Sequence, residues 1–197
     1  MPDRIEQAKR ALRADLRERR QIVSAHARET AEAGVKEQLD ALVARLGARS
    51  VSCFLSTPTE PGTHAFVAGA VERGIRVLLP ITREDGLLDW SVATPDTEIA
   101  EGLFGLPEPV GDVLGPIAVN DVDLLIIPAA AVDQRGMRLG WGRGYFDKTL
   151  GSMEKCPPVY AVIFDSELID DVPRDVHDQP VTGVVTPTRT LSLAPSS

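Results

Sequence analysis

The sequence predicts an α/β domain with a largely parallel central sheet. Short apolar runs at 50–55, 75–79, 123–127, 159–164 and 181–185 each read as a buried strand. Stretches of helical period at 3–22, 26–46, 63–73 and 145–150 precede or alternate with them. The third observation is size. A chain of 197 residues with no repeat, low-complexity stretch or linker fits one large domain with its own core. A single domain over 1–197 is therefore expected.

Each element has a local reason. In 3–22, Ile5, Ala8, Leu12 and Leu16 form one apolar stripe. At about 100° per residue, Lys9, Arg13 and Arg20 line one edge of that stripe. They can look across a cleft beside the packing surface, although a solvated basic face gives the same pattern. Arg10, Arg17 and Arg19 complete the basic cluster. The second helix, 26–46, turns Ala27, Ala31, Val35, Leu39, Leu42, Val43 and Leu46 inward. The strand at 50–55 runs into a Thr-Pro-Thr-Glu-Pro-Gly loop, and Gly74 closes the helix 63–73. Pro80 is expected to stop the strand 75–79, and Pro128 the strand 123–127. Residues 87–92 read as a further strand, 94–116 as an ordered loop, and the chain frays from about Leu191.

Composition excludes several functions. The longest apolar runs, such as Leu124 to Ile127, fall far short of the roughly 20 residues of a membrane helix. The first residues are charged where a signal peptide needs an apolar stretch, so a cytoplasmic compartment and no membrane partner are expected. Cys53 and Cys156 lack any CxxC pattern and read as free thiols. The net charge of −8 argues against a nucleic-acid partner. That charge is uneven. Residues 1–49 hold 11 Lys and Arg against 8 Asp and Glu; the rest holds 10 against 21. A focused basic patch can bind an anion on an acidic protein.

The segment with the most chemistry is 123–150, DLLIIPAAAVDQRGMRLGWGRGYFDKTL. A buried strand leads to a loop with glycines at 136, 140, 142 and 144 and arginines at 135, 138 and 143. The loop enters a helix through Tyr145, Phe146 and Asp147. Glycines let backbone N–H groups approach an anion, and a helix N-terminus favours negative charge. Arginines offer forked donors to phosphate oxygens, and an Asp beside them suits magnesium. The loop lacks Gly-Lys-Ser/Thr and the spacing of the dinucleotide fingerprint. Weaker candidates are Glu60, after a strand; Phe104, able to stack on a flat ligand; and the cluster Asp170, Asp171, Asp175, His177 and Asp178. Read singly, they are a surface acid, a loop anchor and a solvated turn. His26, His64 and His177 have no metal-ligand spacing, and no nucleophile elbow is present.

Together these segments resemble the 5-formyltetrahydrofolate cyclo-ligase (5,10-methenyltetrahydrofolate synthetase) family over about residues 7–186. AKRALR is similar to the family's Lys-x-x-x-Arg helix, LSTPTEPGT to its strand and acidic loop, and GLFGLPEP to its middle loop. Residues 123–147 match its long Asp-to-Asp motif around Gly-x-Arg-Leu-Gly-x-Gly-x-Gly. The resemblance implies a Rossmann-like three-layer αβα fold, of the kind shared with sugar-phosphate isomerases and CoA transferases. It implies ATP- and Mg2+-dependent closure of 5-formyltetrahydrofolate, with or without a polyglutamate tail, to 5,10-methenyltetrahydrofolate. ADP and phosphate leave, by way of a phosphorylated formyl group. The oligomeric expectation is a monomer or homodimer.

By position, the resemblance makes Lys9, Arg10, Ala11, Leu12 and Arg13 nucleotide ligands, together with Arg138, Leu139, Gly140, Trp141, Gly142, Arg143, Gly144, Tyr145 and Phe146. Arg13, Leu55, Glu60, Phe104 and the stretch Trp141 to Tyr145 would meet the folate, with Glu60 on the pterin. Lys9, Arg143 and Tyr145 are the expected catalytic residues, and Asp147 and Asp178 the magnesium pair. Gly62, Ala129, Trp141, Phe146 and Thr182 depart from the family's usual residues. The alternatives are another enzyme on a similar sheet, such as a sugar-phosphate isomerase or CoA transferase, or a folate- or nucleotide-binding module without turnover.

Overall fold

Four consecutive apolar residues, Leu124 to Ile127, are all 1% exposed or less, so the strand they form is covered on both faces. Because side chains alternate, Leu124 and Ile126 join one core and Leu125 and Ile127 the other. The computed structural model describes residues 2–193. In chain order its elements are α1 (Pro2–Gln21), α2 (Ala25–Leu46), β1 (Ser50–Ser52), α3 (His64–Glu72), β2 (Arg76–Thr82) and β3 (Leu88–Val92). Then come β4 (Glu98–Glu101), β5 (Pro107–Val110), β6 (Leu124–Pro128), β7 (Ala131–Asp133), β8 (Arg138–Leu139) and α4 (Tyr145–Ser152). Last are β9 (Val159–Val162), β10 (Leu168–Ile169), β11 (Gly183–Val185) and β12 (Thr190–Ser192).

Seven strands form the main sheet in the order β12-β11-β9-β6-β1-β2-β3. The central five run parallel, and β3 and β12 add antiparallel edges. Helices α2 and α3 cover one face through Val35, Leu39, Leu42, Phe66 and Ala70. The other face carries α4, a 3-10 segment at 116–121 and the small sheet β10-β7-β8. This is the expected layered α/β architecture. Caps explain the bounds of α2. Ser24 Oγ accepts from Ala27 N–H at 3.2 Å, and Gly47, at φ +61°, donates to Ala44 O. Helix α1 docks on the small sheet, with Leu12 and Leu16 against Ala130, Ala131, Met137 and Leu139. No helix among the described residues is long and apolar enough to cross a membrane.

Several expectations change. Pro80 does not stop β2. It pairs with Trp90, whose N–H and C=O both turn away to Leu114, so the pair needs no proline N–H. The segment 94–116 is more than a loop: β4 and β5 make a hairpin, and Leu114 bridges to Trp90. The strand expected at 50–55 is regular only to Ser52, and Phe54 and Leu55 then curve into a cavity. Leu191 is not frayed, since β12 pairs antiparallel with β11; 194–197 lie outside the described residues.

The chain places β2 on one side of β1 and later returns as β6 on the other. The sheet's switch point therefore lies between β1 and β6. Ligands of open α/β sheets bind outside the carboxyl ends of strands at such a point.

Candidate active site

At that point the structure has a cavity of about 520 Å³. The exits of β1 and β6 contribute Phe54, Leu55 and Pro128, and the loop after β1 adds Glu60. α1 contributes Lys9, Arg13, Arg17 and Arg20; the loop between β8 and α4 closes one end, with Asp178 beside it.

The glycine loop is framed by a buried acid. Asp133 accepts backbone N–H groups of Arg135 at 2.9 Å, Met137 at 3.0 Å and Val172 at 3.2 Å. Inside that turn Gly136 has φ +83°, and a Cβ there would come within 2.7 Å of Val181 O. Further on, Gly142 at φ +93° brings the loop backbone beside the Arg13 guanidinium. Arg13 Nε donates to Gly140 O at 2.8 Å, and its Nη1 to Glu6 at 3.2 Å. Helix α1 and the glycine loop are thus tied directly, across 127 residues.

Charges at this end are matched in pairs. Lys9 Nζ donates to Asp178 Oδ2 at 2.5 Å, and Arg138 Nη2 donates to Asp147 Oδ1. Backbone N–H groups of Asp175, at 2.7 Å, and Gln179, at 3.3 Å, also serve Asp178 and Asp147 respectively. Burial holds the Arg138 guanidinium below its ordinary pKa, opposed by Asp147 and Asp178. Its Nε is buried without a hydrogen-bond partner among the described residues.

At the other end, Glu60 accepts the Thr57 N–H at 2.8 Å. Loss of water around its carboxylate pushes its pKa above the usual range, opposed by that hydrogen bond and by the charge of Arg20. Trp141 lies between the two ends, with Arg17 and Arg20 guanidinium carbons 5.5 and 4.9 Å from its ring centre.

The expected residues divide accordingly. Lys9, Arg13, Leu55, Glu60, Arg138, Asp178 and the whole run from Leu139 to Asp147 line one cavity. Arg10, Ala11 and Leu12 do not: the first two are exposed on the outer side of α1, and Leu12 faces the small-sheet core. Phe104 is 60% exposed and is not in the wall, but the exposed Arg143 side chain stacks on its ring at 3.6 Å. Phe104 adopts φ +61°, rare for an aromatic residue. Tyr145 lines the cavity, and its hydroxyl donates to Arg83 O at 3.0 Å, a contact with the frame. Arg17, Arg20, Thr57 and Glu108 line the cavity without having been assigned to it. Arg17 and Arg20 stood in the basic cluster, and Arg20 on the edge of Lys9 and Arg13. Glu108, held by Thr82 N–H at 2.9 Å, carried no signal.

A magnesium ion fits the donor chemistry. No group of three or more His, Cys, Asp or Glu that could hold a metal is found among the described residues. Magnesium asks less of a protein, taking one or two carboxylates and completing its shell with phosphate oxygens and water. Asp147 and Asp178 face the same cavity and meet that need.

A mostly parallel α/β sheet with a cavity of mixed charge at its switch point is the architecture of an α/β enzyme that takes a small molecule there. The chain belongs to the 5-formyltetrahydrofolate cyclo-ligase family, whose profile matches residues 5–187. It is 35% identical over 187 residues to the 5-formyltetrahydrofolate cyclo-ligase of Mycolicibacterium smegmatis, covering 92% of this chain and 95% of that one. It is 33% identical over 147 residues to the enzyme of that name from Escherichia coli K12, covering 72% and 80%. Among solved structures, the 5,10-methenyltetrahydrofolate synthetase of Aquifex aeolicus superposes with a TM-score of 0.79. That match has 25% identity and covers 96% of this chain and 94% of that one.

Proposed function

We propose that this enzyme uses ATP and Mg2+ to cyclise 5-formyltetrahydrofolate to 5,10-methenyltetrahydrofolate, releasing ADP and phosphate. One observation carries the reading. The cations of α1, the glycine loop with Asp147, Asp178 and the half-buried Glu60 converge on a single cavity. Family membership supports it.

In this reading Lys9, Arg13 and Arg138 hold phosphate oxygens, helped by the backbone between Gly140 and Gly144 and by the start of α4. Asp147 and Asp178 would hold magnesium, which shields phosphate charge when bound. Taking up that role frees Arg138 and Lys9 from their acids, so the same cations become available to the nucleotide. Glu60 accepts donors from the pterin ring, and Leu55 and Trp141 flank the folate. The formyl oxygen attacks the γ-phosphorus and ADP leaves, giving an imidate phosphate. The neighbouring folate nitrogen then attacks the formyl carbon and gives up its proton to solvent, the C–O bond breaks, and phosphate departs with the bonding pair. Lys9 and Arg143 offset charge during the transfer, and positioning supplies most of the rate. Tyr145 holds the loop in place.

We further propose that residues 1–197 act as one domain, as a monomer or homodimer, in the cytoplasm. The test of function is direct. Purified protein should generate the methenyl-folate chromophore from 5-formyltetrahydrofolate only with both ATP and magnesium, with equimolar ADP. A folded sample giving neither, with intact substrate, overturns the proposal.

A further inference from the structure

Phe104 is held in a conformation that its residue type disfavours. Its φ of +61° is left-handed, which costs an aromatic residue free energy, and its side chain is 60% exposed. Burial therefore does not offset that cost. The turn that carries it, between β4 and β5, is fixed from both sides. Gly102 N–H donates to Leu106 O at 2.8 Å, and Leu106 N–H to Leu103 O at 3.3 Å. Gly102 also packs so closely on Glu108 that a Cβ would lie 2.0 Å from its carboxyl carbon. Thr82 holds Glu108 in turn, through its N–H at 2.9 Å and its hydroxyl. Leu106, Pro107 and Glu108 line the cavity, so this turn sits at its mouth.

What the Phe104 ring meets there is Arg143. The guanidinium carbon lies 3.6 Å from the ring centre, nearer than in any other cation–ring contact among the described residues. Arg143 lines the cavity and is exposed. It has no hydrogen bond or ion pair among the described residues, and its head rests on the Phe104 ring. Its neighbours, Gly142 at φ +93° and Gly144 at φ +73°, offer it no side chain to lean on. Lys9, Arg13 and Arg138, by contrast, are each tied to a carboxylate or carbonyl.

We infer that Phe104 is a positioning residue for Arg143: its ring holds the guanidinium at the cavity mouth, ready for the phosphoryl transfer. This rests on the reading that Arg143 offsets charge in that transfer. Holding a long side chain in advance spares the entropy of ordering it in the transition state. The role differs from the one the resemblance implies, in which the ring meets the folate. A ring face covered by a guanidinium at 3.6 Å is closed to the pterin.

Phe104→Leu keeps a Cβ, and with it the backbone cost, but has no π face. Should it fail to fold, Phe104→Asn replaces it, since asparagine accepts the left-handed region more readily. The first measurement needs no turnover. In the ligand-free protein the Arg143 δ-methylene proton resonances, assigned by their loss in Arg143→Lys, should carry the upfield shift of a ring face. Phe104→Leu should abolish that shift, and Phe104→Trp should keep it. The second is a double-variant cycle in kcat. Phe104→Leu should lower kcat by about 2- to 5-fold, the worth of an exposed cation–π contact, and Phe104→Trp should restore it. In the Arg143→Ala background the same change should cost nothing further. KM for 5-formyltetrahydrofolate should stay within about twofold of wild type in Phe104→Leu. An unshifted Arg143 resonance overturns the inference, and so does an equal loss of kcat in both backgrounds. A rise in folate KM alone, of the same size in both backgrounds, also overturns it and returns the ring to the folate. A shifted resonance, in a protein whose kcat ignores Arg143→Ala, upholds the Phe104–Arg143 pairing and removes Arg143 from the proposed transfer instead.

Discussion

At the glycine-loop end of the cavity, Lys9 and Arg138 each hold an acid, Asp178 and Asp147, in direct ion pairs. At the other end Glu60 has no ion pair among the described residues; Thr57 supports its carboxylate, by its N–H at 2.8 Å and its side chain, with the charge of Arg20 acting in the same sense. The first arrangement is exchangeable. Each charge already has a counter-charge, so a ligand bringing phosphates and a cation swaps partners at little desolvation cost. The second is preorganised. Its charge is kept out of water in advance and waits for donors of fixed geometry. On the function proposed above, one cavity combines a site for a mobile, highly charged ligand with one for a neutral, flat one.

The largest expected effect breaks the exchangeable end. Asp147→Asn leaves Arg138 buried without its acid and removes one of two candidate magnesium carboxylates. Turnover should fall by a factor on the order of 10³, with the magnesium requirement shifted to higher concentration. Circular dichroism should still report a folded protein, since Asp147 lies outside the core clusters, but with a lowered melting temperature because Arg138 is left buried without its ion pair. Rates measured across a magnesium series check this, and an unaltered magnesium curve removes Asp147 from the metal site.

A smaller effect sharpens the preorganised end. Glu60→Gln should raise KM for the folate by roughly 10- to 100-fold, the worth of a charge-assisted hydrogen bond, and leave KM for ATP alone. It also has a pH signature. The folded-state pKa of Glu60 lies above its unfolded value, so folding takes up a proton between the two. Its stabilising contribution is complete below the ordinary glutamate range and is lost as pH rises through the folded pKa. Glu60→Gln should therefore be more stable than wild type at neutral pH, with the gap closing on acidification. Thermal melts at several pH values test this, and a gap that does not change with pH contradicts the picture of a desolvated carboxylate.

The same contrast governs what the sequence reveals. The exchangeable end carries two patterns legible in sequence, the helical period of Lys9 and Arg13 and the continuous stretch from Arg138 to Asp147, although Lys9 meets Asp178 across 169 residues. The other end has no such stretch. Arg20 and Glu167 meet across 147 residues, and neither carries a pattern that names the other. In the fold, the strand of Leu124 to Ile127 was legible because both faces are buried. The β4–β5 hairpin was not, because all four residues of β4 are exposed and no apolar alternation marks it. Pro80 misled because its pairing partner bonds to the other side, a fact of register rather than composition. The unusual backbone of Phe104 likewise has no signal in Gly-Leu-Phe-Gly.

Tyr145 tests whether the chemistry belongs to the charged ends alone. Its ring lines the cavity, while its hydroxyl ties α4 to the turn between β2 and β3 through Arg83 O. Tyr145→Phe keeps the ring and deletes that one bond. The expected cost is about 1 kcal/mol in stability, the net worth of a hydrogen bond whose acceptor is left behind. Turnover should stay within about threefold of wild type, since nothing in contact with the ligand's charges has been removed. Urea midpoints and kcat, measured side by side, separate the two possibilities. A hundredfold loss of kcat with unchanged stability would make Tyr145 a reacting group, and the division of labour between the two ends would have to be redrawn around it.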